Sequence, residues 1–595
     1  MNNRTLLVCI TALFCVCAAN AKAPQSRLKV LSLAFSGNSS FSDKQLQRTM
    51  VTRQSKLFFS QYFHQALFNH DLENVTLYYK ENGFLDVHIS DTSVAIDSAA
   101  RKVSIRIAIV EGALYHVRSA GISGNSIYPD STLLRLAAVG PGDIFRKNTI
   151  RDSLANITNL YTENGYLDAR VEPVFSVDIG SHSVDVSIVI DEGAQFHLSQ
   201  TIYKGLKRTK LSVVERELVL DREKPIAVSQ LLRSQRQLYL TGLFQAVYIH
   251  PVPAASGDSS MKDILIELRE EKAITLNMSA GYGTEEKARV RFEVTHDNIA
   301  GTARKIGCAA KLSVLQQEIE ASFTDPWAFG IHLRTDVSAY VGFLEEPGYN
   351  LFRRGGKLVF GQALGDNLTL SLTTKYENAD LSNIRVSAIP DTLTANVRSI
   401  MPAITYDTRD NLFNARSGVY LGWTNELAGA VFNGTNNFVR SIVSGKYFHS
   451  LRPPTVLATA LEAGWIGSYG NSKEIPPNER LYTGGINSIR GFAYQSVGPI
   501  DNNGVPLGGM FKVVWNLVEI RQVIYKMVGM ALFFDAGNVW ANAGDFSFGS
   551  LRFSPGIGLR VNTPIGIVRS DFAINPVPQN TESWYNIGFN VGQAF

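Results

Sequence analysis

From residue 272 onward, apolar and polar residues alternate with a period of two, segment after segment. In 287–296 (KARVRFEVTH), Ala288, Val290, Phe292 and Val294 fall on one face, with Lys287, Arg289, Arg291 and Glu293 on the other. Leu368, Leu370 and Leu372 alternate with Thr369, Ser371 and Thr373. In the terminal segment Tyr585, Ile587, Phe589, Val591 and Phe595 share one face, and Asn586, Gly588, Asn590, Gly592 and Ala594 the other. Period two specifies strands, because successive side chains of a strand point to opposite faces. No stretch after the leader reaches 18 consecutive apolar residues, so no membrane helix is expected. Without helices, a chain enters lipid only as a closed barrel, since lipid leaves an open sheet edge unsatisfied. Segments of this length, polar inside and apolar outside, with a terminal aromatic, fit a transmembrane barrel of the outer-membrane type. At roughly 20 residues per strand and turn, 272–595 makes about 16 antiparallel strands. The even number returns both barrel ends to one side. The alternative, a soluble sandwich with one wet face, does not call for alternation sustained strand after strand.

The leader reads as a signal peptide, residues 1–21. Arg4 precedes the apolar run Leu6–Ala19, and Ala19-Asn20-Ala21 is a small-x-small site that predicts cleavage after Ala21. An uncleaved anchor is the alternative, but the run is short for a span. Three of the four cysteines (Cys9, Cys15, Cys17) lie here, leaving Cys308 alone in the exported chain and no intrachain disulfide. Its neighbours Ile306, Ala310 and Leu312 place Cys308 on the apolar face of its segment. Net charge is only +4 and 18% of residues are charged, which excludes an electrostatic nucleic-acid binder.

Between leader and barrel lies an internal repeat. YYKENGFLDVHI (78–89), YTENGYLDARV (161–171) and LYLTGLFQAVYI (238–249) align on Gly83, Gly165 and Gly242. Each copy opens on a short strand running into a glycine turn (Gly37, Gly124, Gly205) and closes on an acidic corner: Val-Glu-Gly at 110–112, Asp-Glu-Gly at 191–193, Arg-Glu-Glu at 269–271. Ser42 followed by Gln45 is a capping-box pattern. The repeat glycines end the second helix of each copy, as a residue at positive φ does. The reading is three α+β units of strand–helix–helix–strand–strand, at 28–112, 113–193 and 194–271, followed by the barrel at 272–595.

In the barrel half, Asp325-Pro326-Trp327, Tyr406-Asp407-Thr408-Arg409-Asp410, Ile489-Arg490-Gly491-Phe492, Phe534-Asp535-Ala536-Gly537-Asn538-Val539-Trp540 and Phe589–Phe595 stand out as motifs. With the three repeats, they make the chain resemble the BamA/TamA superfamily of outer-membrane assembly proteins over essentially all of its exported length. The resemblance implies that the repeats are POTRA domains in the periplasm and that the barrel sits in the bacterial outer membrane. Three repeats, and no room for a plug helix between Ala21 and Leu28, make it most similar to TamA-like proteins. That similarity implies a TamB-like inner-membrane-anchored partner and unfolded β-barrel or autotransporter-type clients, inserted into outer-membrane lipid. A BamA-like general insertase and a two-partner-secretion pore are the related alternatives. A passive porin or receptor is the alternative of another class, and it leaves the repeats without a purpose.

No catalytic constellation is present: no HExxH, no GxSxG and no phosphate-binding glycine loop. Neither enzyme activity, cofactor nor metal is expected. The resemblance implies that the loop carrying Arg490, Gly491 and Phe492 folds into the lumen. A guanidinium there is partly desolvated and needs carboxylates in fork geometry, and Glu519 and Asp535 are the matching candidates. A solvated Arg490 is the bland alternative. Closure of the barrel requires the first strand, Ile274–Gly283, to meet the last, Trp584–Phe595. Glycines weaken strand pairing, so the seam residues singled out are Asn277, Ser279, Gly281, Gly588, Gly592 and Phe595, with Asn277 or Ser279 expected opposite residues near Asn590. A seam that opens exposes edges able to template a client strand.

Overall fold

Each of the three repeats folds as strand–helix–helix–strand–strand. In a computed structural model that describes residues 28–55, 61–385, 392–429, 432–452, 454–472, 474–564, 566–579 and 582–595, the first repeat comprises β1 (Lys29–Ser36), α1 (Asp43–Thr49), α2 (Gln65–Glu81), β2 (His88–Asp97) and β3 (Lys102–Val110). The second comprises β4 (His116–Ser123), α3 (Asp130–Ala137), α4 (Lys147–Glu163), β5 (Arg170–Asp178) and β6 (Ser183–Asp191). The third comprises β7 (His197–Lys204), α5 (Leu211–Glu215), α6 (Val228–Leu240), β8 (Phe244–Pro253) and β9 (Met261–Glu270). The leader, with its expected cleavage after Ala21, lies outside the described residues.

In every repeat the last strand takes the centre of the sheet, parallel to the first and beside the second: β1-β3-β2, β4-β6-β5, β7-β9-β8. The centre position explains the alternation of the last strand. Val103, Ile105, Ile107 and Ile109 of β3, and Val184, Val186, Ile188 and Ile190 of β6, are buried on the core side. Each such side chain contributes about 1.5–3 kcal/mol relative to exposure. The Ser42–Gln45 cap forms, with Gln45 Oε1 accepting the Ser42 N–H at 2.9 Å.

The acidic corners have a structural role that spacing alone did not reveal. A Cβ on Gly37, Gly124 or Gly205 would overlap the carbonyl oxygen of Ile109, Ile190 or Leu268, so the first turn crosses directly over the end of the central strand. The carboxylate that follows then caps this turn. Glu111 accepts from Ser40 N–H (2.9 Å), Glu192 from Ser126 and Ile127 N–H (2.9 and 3.0 Å), and Glu270 from Arg208 and Thr209 N–H (3.0 and 2.8 Å). Tyr79 and Tyr161 add a phenol hydrogen bond to Glu111 and Glu192 at 2.9 and 2.7 Å. Burial pushes the Glu192 carboxyl up, but the bonds from Ser126, Ile127 and Tyr161 outweigh it and hold the group down to about 2.

The barrel is one sixteen-stranded sheet, each strand hydrogen-bonded antiparallel to the next. Its strands are β10 (Ile274–Gly283), β11 (Lys287–Ile299), β12 (Arg304–Ser313), β13 (Gln316–Asp325), β14 (Arg334–Glu346), β15 (Tyr349–Leu364), β16 (Leu368–Ser382), β17 (Leu393–Asp407), β18 (Gly418–Ala428), β19 (Phe438–Arg452), β20 (Thr455–Ser468), β21 (Phe511–Tyr525), β22 (Val528–Trp540), β23 (Arg552–Thr563), β24 (Gly566–Ile574) and β25 (Tyr585–Val591). Outward side chains such as Phe292, Val294, Leu370 and Leu372 are exposed, forming an apolar wall. Cys308 is exposed beside them, aligned with Val294 and Ala321 across the ladder. No helix of the described residues is long and apolar enough to cross a membrane. By compactness the chain divides into two units: one holds the first two repeats and most of the third, and the other holds the barrel with Gly205–Glu217 and Gln237–Val247.

The turn clamp makes repeat stability pH-dependent. A carboxyl with a lowered folded pKa contributes stability above its unfolded value, near 4.5, and that stability is lost as pH falls towards about 2. Glu192→Gln should destabilise the second repeat by on the order of 2 kcal/mol at pH 7, after discounting for solvent at the turn, and flatten its stability between pH 4.5 and 2. Pulse proteolysis in urea at several pH values checks this; an unchanged acid profile would contradict it.

Candidate functional site: the lumen loop and the barrel seam

The segment 469–510 joins β20 to β21 and is the longest connection in the barrel. Its stretch 475–500 returns along the inner wall, while 502–504 stay exposed. Arg490 is 1% exposed and Phe492 2%. The guanidinium forks onto Asp535 of β22, with Nε to Oδ2 at 2.8 Å and Nη2 to Oδ1 at 2.7 Å. Its third nitrogen, Nη1, donates to Glu519 of β21 at 2.5 Å. The plane lies over the Phe533 ring, 3.3 Å from its centroid. Glu519 and Asp535 are both fully buried. The three residues singled out from sequence therefore meet.

A bulge makes this meeting possible. Between Asn516 and Val518 the register of β21 against β22 shifts, leaving Leu517 as the extra residue. Without the shift, Asn516 and Glu519, three apart, would point to opposite faces. With it, both face the lumen, while Trp515 and Ile520 both face outward. Asn516 uses its Nδ2 to reach Ser488 O at 2.9 Å and Asp535 Oδ1 at 2.8 Å. The bulge has a sequence signal in hindsight: two large apolar residues five apart that both need lipid.

The rest of the motif is fitted as tightly. A Cβ on Gly491 would sit 2.6 Å from Ile574 O and Ser554 Oγ, so no larger residue fits. Phe492 packs with Ile489, Val497 and Val514, beneath the Arg552 guanidinium at 4.8 Å. Earlier in the loop, Glu479 forms a second anchor. It lies 3.1 Å from Arg440 and 3.9 Å from Lys375, cations that Glu426 and Glu377 share on the wall. Sequence reasoning missed this cluster, because its members are scattered over β16, β18, β19 and the loop.

The seam is narrower than expected. β10 and β25 form no ladder. Among the described residues their hydrogen-bonded link is Thr284, whose N–H donates to Phe589 O at 3.0 Å and whose Oγ1 accepts the Phe589 N–H at 2.8 Å, beside a ring contact of Tyr282 with Phe589 at 6.3 Å. Asn277, Ser279 and Gly281 pair with Glu293, Arg291 and Arg289 of β11, and their other edge has no backbone partner on β25. The expected neighbours are corrected accordingly: Asn590 lies beside Gly283, not beside Asn277 or Ser279. The reason is the short last strand. Gly592, at φ +111°, turns the chain out of β25 after Val591. Phe595, expected on the lipid face, packs instead against buried Phe448, with its ring centroid 6.3 Å away and the Arg521 guanidinium at 5.3 Å. Gly588 and Asn586 of β25 face the loop.

A sixteen-stranded barrel carrying an inward arginine loop and preceded by βααββ repeats has counterparts among known families. The profile described as the Omp85 superfamily domain matches residues 298–595, and the POTRA profile, described as surface antigen variable number repeat, matches 28–112 and 115–193. The chain belongs to the Omp85 superfamily. It is similar to the outer membrane protein assembly factor BamA of Neisseria meningitidis serogroup B, 26% identical over 563 residues, covering 86% of this chain and 68% of that protein. It is similar also to BamA of Nitratidesulfovibrio vulgaris, 24% identical over 544 residues, covering 89% and 68%. The crystal structure of Haemophilus ducreyi BamA lacking POTRA domains 1–3 shares the fold, with a TM-score of 0.69 at 19% identity, covering 80% of this chain and 99% of that one. The barrel lies in the bacterial outer membrane, and the POTRA region in the periplasm.

Removing one partner of a buried ion pair typically costs about 3–5 kcal/mol. Arg490→Ala should therefore leave a folded barrel whose segment 469–510 is cut rapidly by an added protease. Arg490→Lys should be intermediate, since an ammonium keeps the charge but cannot fork. Equal cleavage rates in wild type and both variants would remove Arg490 as the anchor.

Proposed function

We propose that this chain is an outer-membrane protein assembly factor that admits client strands at the seam between β10 and β25. The observation that carries this reading is the free edge of β10. Residues 274–282 present a row of backbone groups to which β25 does not pair, although an unsatisfied backbone group in lipid costs several kcal/mol. A client strand arriving from the periplasm satisfies that edge by β-augmentation, and folding of the client itself supplies the driving energy. No covalent chemistry or cofactor enters. Outer-membrane lipid receives the product. The names of the relatives support the same activity. A passive porin is a poorer fit, because the loop and Phe595 occupy the lumen.

Two finer readings divide the supporting observations. Three βααββ repeats favour a TamA-like role beside a TamB-like inner-membrane-anchored partner. The BamA names of the relatives favour a general insertase. Affinity capture of the full-length chain from solubilised membranes separates them. Recovery of a large TamB-like protein is the result expected of the first, and its absence under conditions that retain other partners favours the second.

The activity is tested in liposomes, with a urea-unfolded barrel client added from the POTRA side and folding read by heat-modifiable migration. A Gly283→Cys/Asn590→Cys disulfide, made on a Cys308→Ser background, should stop client insertion, and reductant should restore it. The crosslink forms only if the two Cα atoms lie within about 7 Å. A locked barrel that inserts clients at the wild-type rate would rule out entry through the seam.

A further inference from the structure

We propose that the loop segment Gly485–Phe492 is the latch of the seam, and that Glu285 is the positioning residue through which the latch lets go. The proposal rests on the reading that the seam opens.

This one segment touches both free edges of the barrel. On the β10 side, Glu285 stands in the turn just after the strand and accepts the Ile486 N–H at 2.7 Å. On the β25 side, Ile486 fills the space above Gly588, where a Cβ would overlap Ile486 Cγ2. Asn586 Nδ2 donates to the carbonyl oxygens of Arg490 and Phe492, at 2.9 and 3.1 Å. Asn487 accepts from Arg569 of β24 and, at 3.4 Å, from Asn590. Beyond β25, Arg490 fixes the segment to β21 and β22 through its buried carboxylates.

The contacts are unequal across the seam. Towards β21–β25 the loop holds by an ion-paired arginine, an aromatic anchor, two asparagines and a closely fitted glycine. Towards β10 it holds through Glu285 alone among the residues named. Between the strands themselves the hydrogen-bonded link is Thr284, beside the Tyr282–Phe589 ring contact. When the seam parts, the loop therefore stays with β21–β25, and the Glu285–Ile486 bond is the one that breaks. Because that bond is charge-assisted, it is roughly twice as strong as a neutral one, and it sits next to the Thr284 bond it protects. The occupant of Gly588 matters for the same reason: any side chain there lifts Ile486 and the N–H that Glu285 needs.

Hydrogen–deuterium exchange of the full-length protein in lipid nanodiscs, with no client present, tests the latch directly. Glu285→Ala should raise exchange of peptides covering 274–286 and 585–591 by about tenfold or more, the loss of one charged hydrogen bond, and leave 511–540 at wild-type protection. Glu285→Gln, which keeps an acceptor oxygen, should give a smaller rise. Gly588→Ala should mimic Glu285→Ala, and adding Ile486→Ala should reverse it by removing the methyl that the new Cβ strikes. Wild-type exchange at 274–286 in Glu285→Ala, an equal rise across 511–540, or no rescue by Ile486→Ala would each overturn the proposal. The client-insertion reading is judged separately. If the latch variants exchange as expected but insert clients at an unaltered rate, the latch stands and entry through the seam fails.

Discussion

An arginine buried against the inner wall of a membrane barrel is tolerable only if its charge is met. Arg490 is 1% exposed, and its guanidinium finds two buried carboxylates and an aromatic face within one set of contacts. Everything around it follows from that requirement. β21 needs a bulge so that Glu519 faces inward while its neighbours keep facing lipid. Gly491 needs to lack a side chain so that the loop backbone can lie against β23 and β24. Further arginines then crowd this cluster: Arg521 and Arg560 beside Glu519, and Arg560 and Arg569 on a third carboxylate, Asp571. Removing Glu519 leaves Arg521 without its carboxylate and Arg490 with Asp535 alone, and a buried network is stable only when its members are satisfied together.

The repeats solve a smaller problem by the same physics. Their first turn passes over the end of the central strand, which leaves several turn N–H groups without a secondary-structure partner. A glutamate at the end of that strand accepts them, in all three copies. In the first two a tyrosine from the second helix joins the cluster. In the third the equivalent helical position holds an apolar core residue, Leu238, and Glu270 is met by the turn amides of Lys207, Arg208 and Thr209 together with the Arg208 guanidinium. The acidic corner is thus a clamp between turn, strand and helix, which is why it recurs where the surrounding sequence does not.

Much of this was legible in the sequence, for reasons that can be named. Period-two alternation survives in a barrel because every strand has one lipid face, so strand number follows from length. The repeats were visible because glycine turns and helix-ending glycines recur at fixed places, and Arg490 stood out because a charge on a lumen loop demands partners. What could not be read was anything set by a parity change or by chain path. The bulge at Leu517 is a one-residue offset with no turn residue to mark it. The inward turn at Gly592 moves Phe595 from the lipid face to Phe448 and shifts the seam contact from Asn277 and Ser279 to Gly283 and Thr284. Glu285 and Glu479 carry no mark in the sequence, since their partners lie far away along the chain.

The central claim is that the Arg490 ion pair, and not strand pairing at the seam, fixes the loop to the wall. A thermodynamic double-mutant cycle on Arg490→Met and Asp535→Asn, measured by reversible denaturant unfolding of the full chain in lipid, reads that interaction most directly. Neither substitution adds a group able to form a new contact of the same kind. The account predicts strong non-additivity, with a coupling of about 2–4 kcal/mol and the double variant more stable than the sum of the single losses implies. Additive losses, with a coupling within about 0.5 kcal/mol of zero, would contradict it.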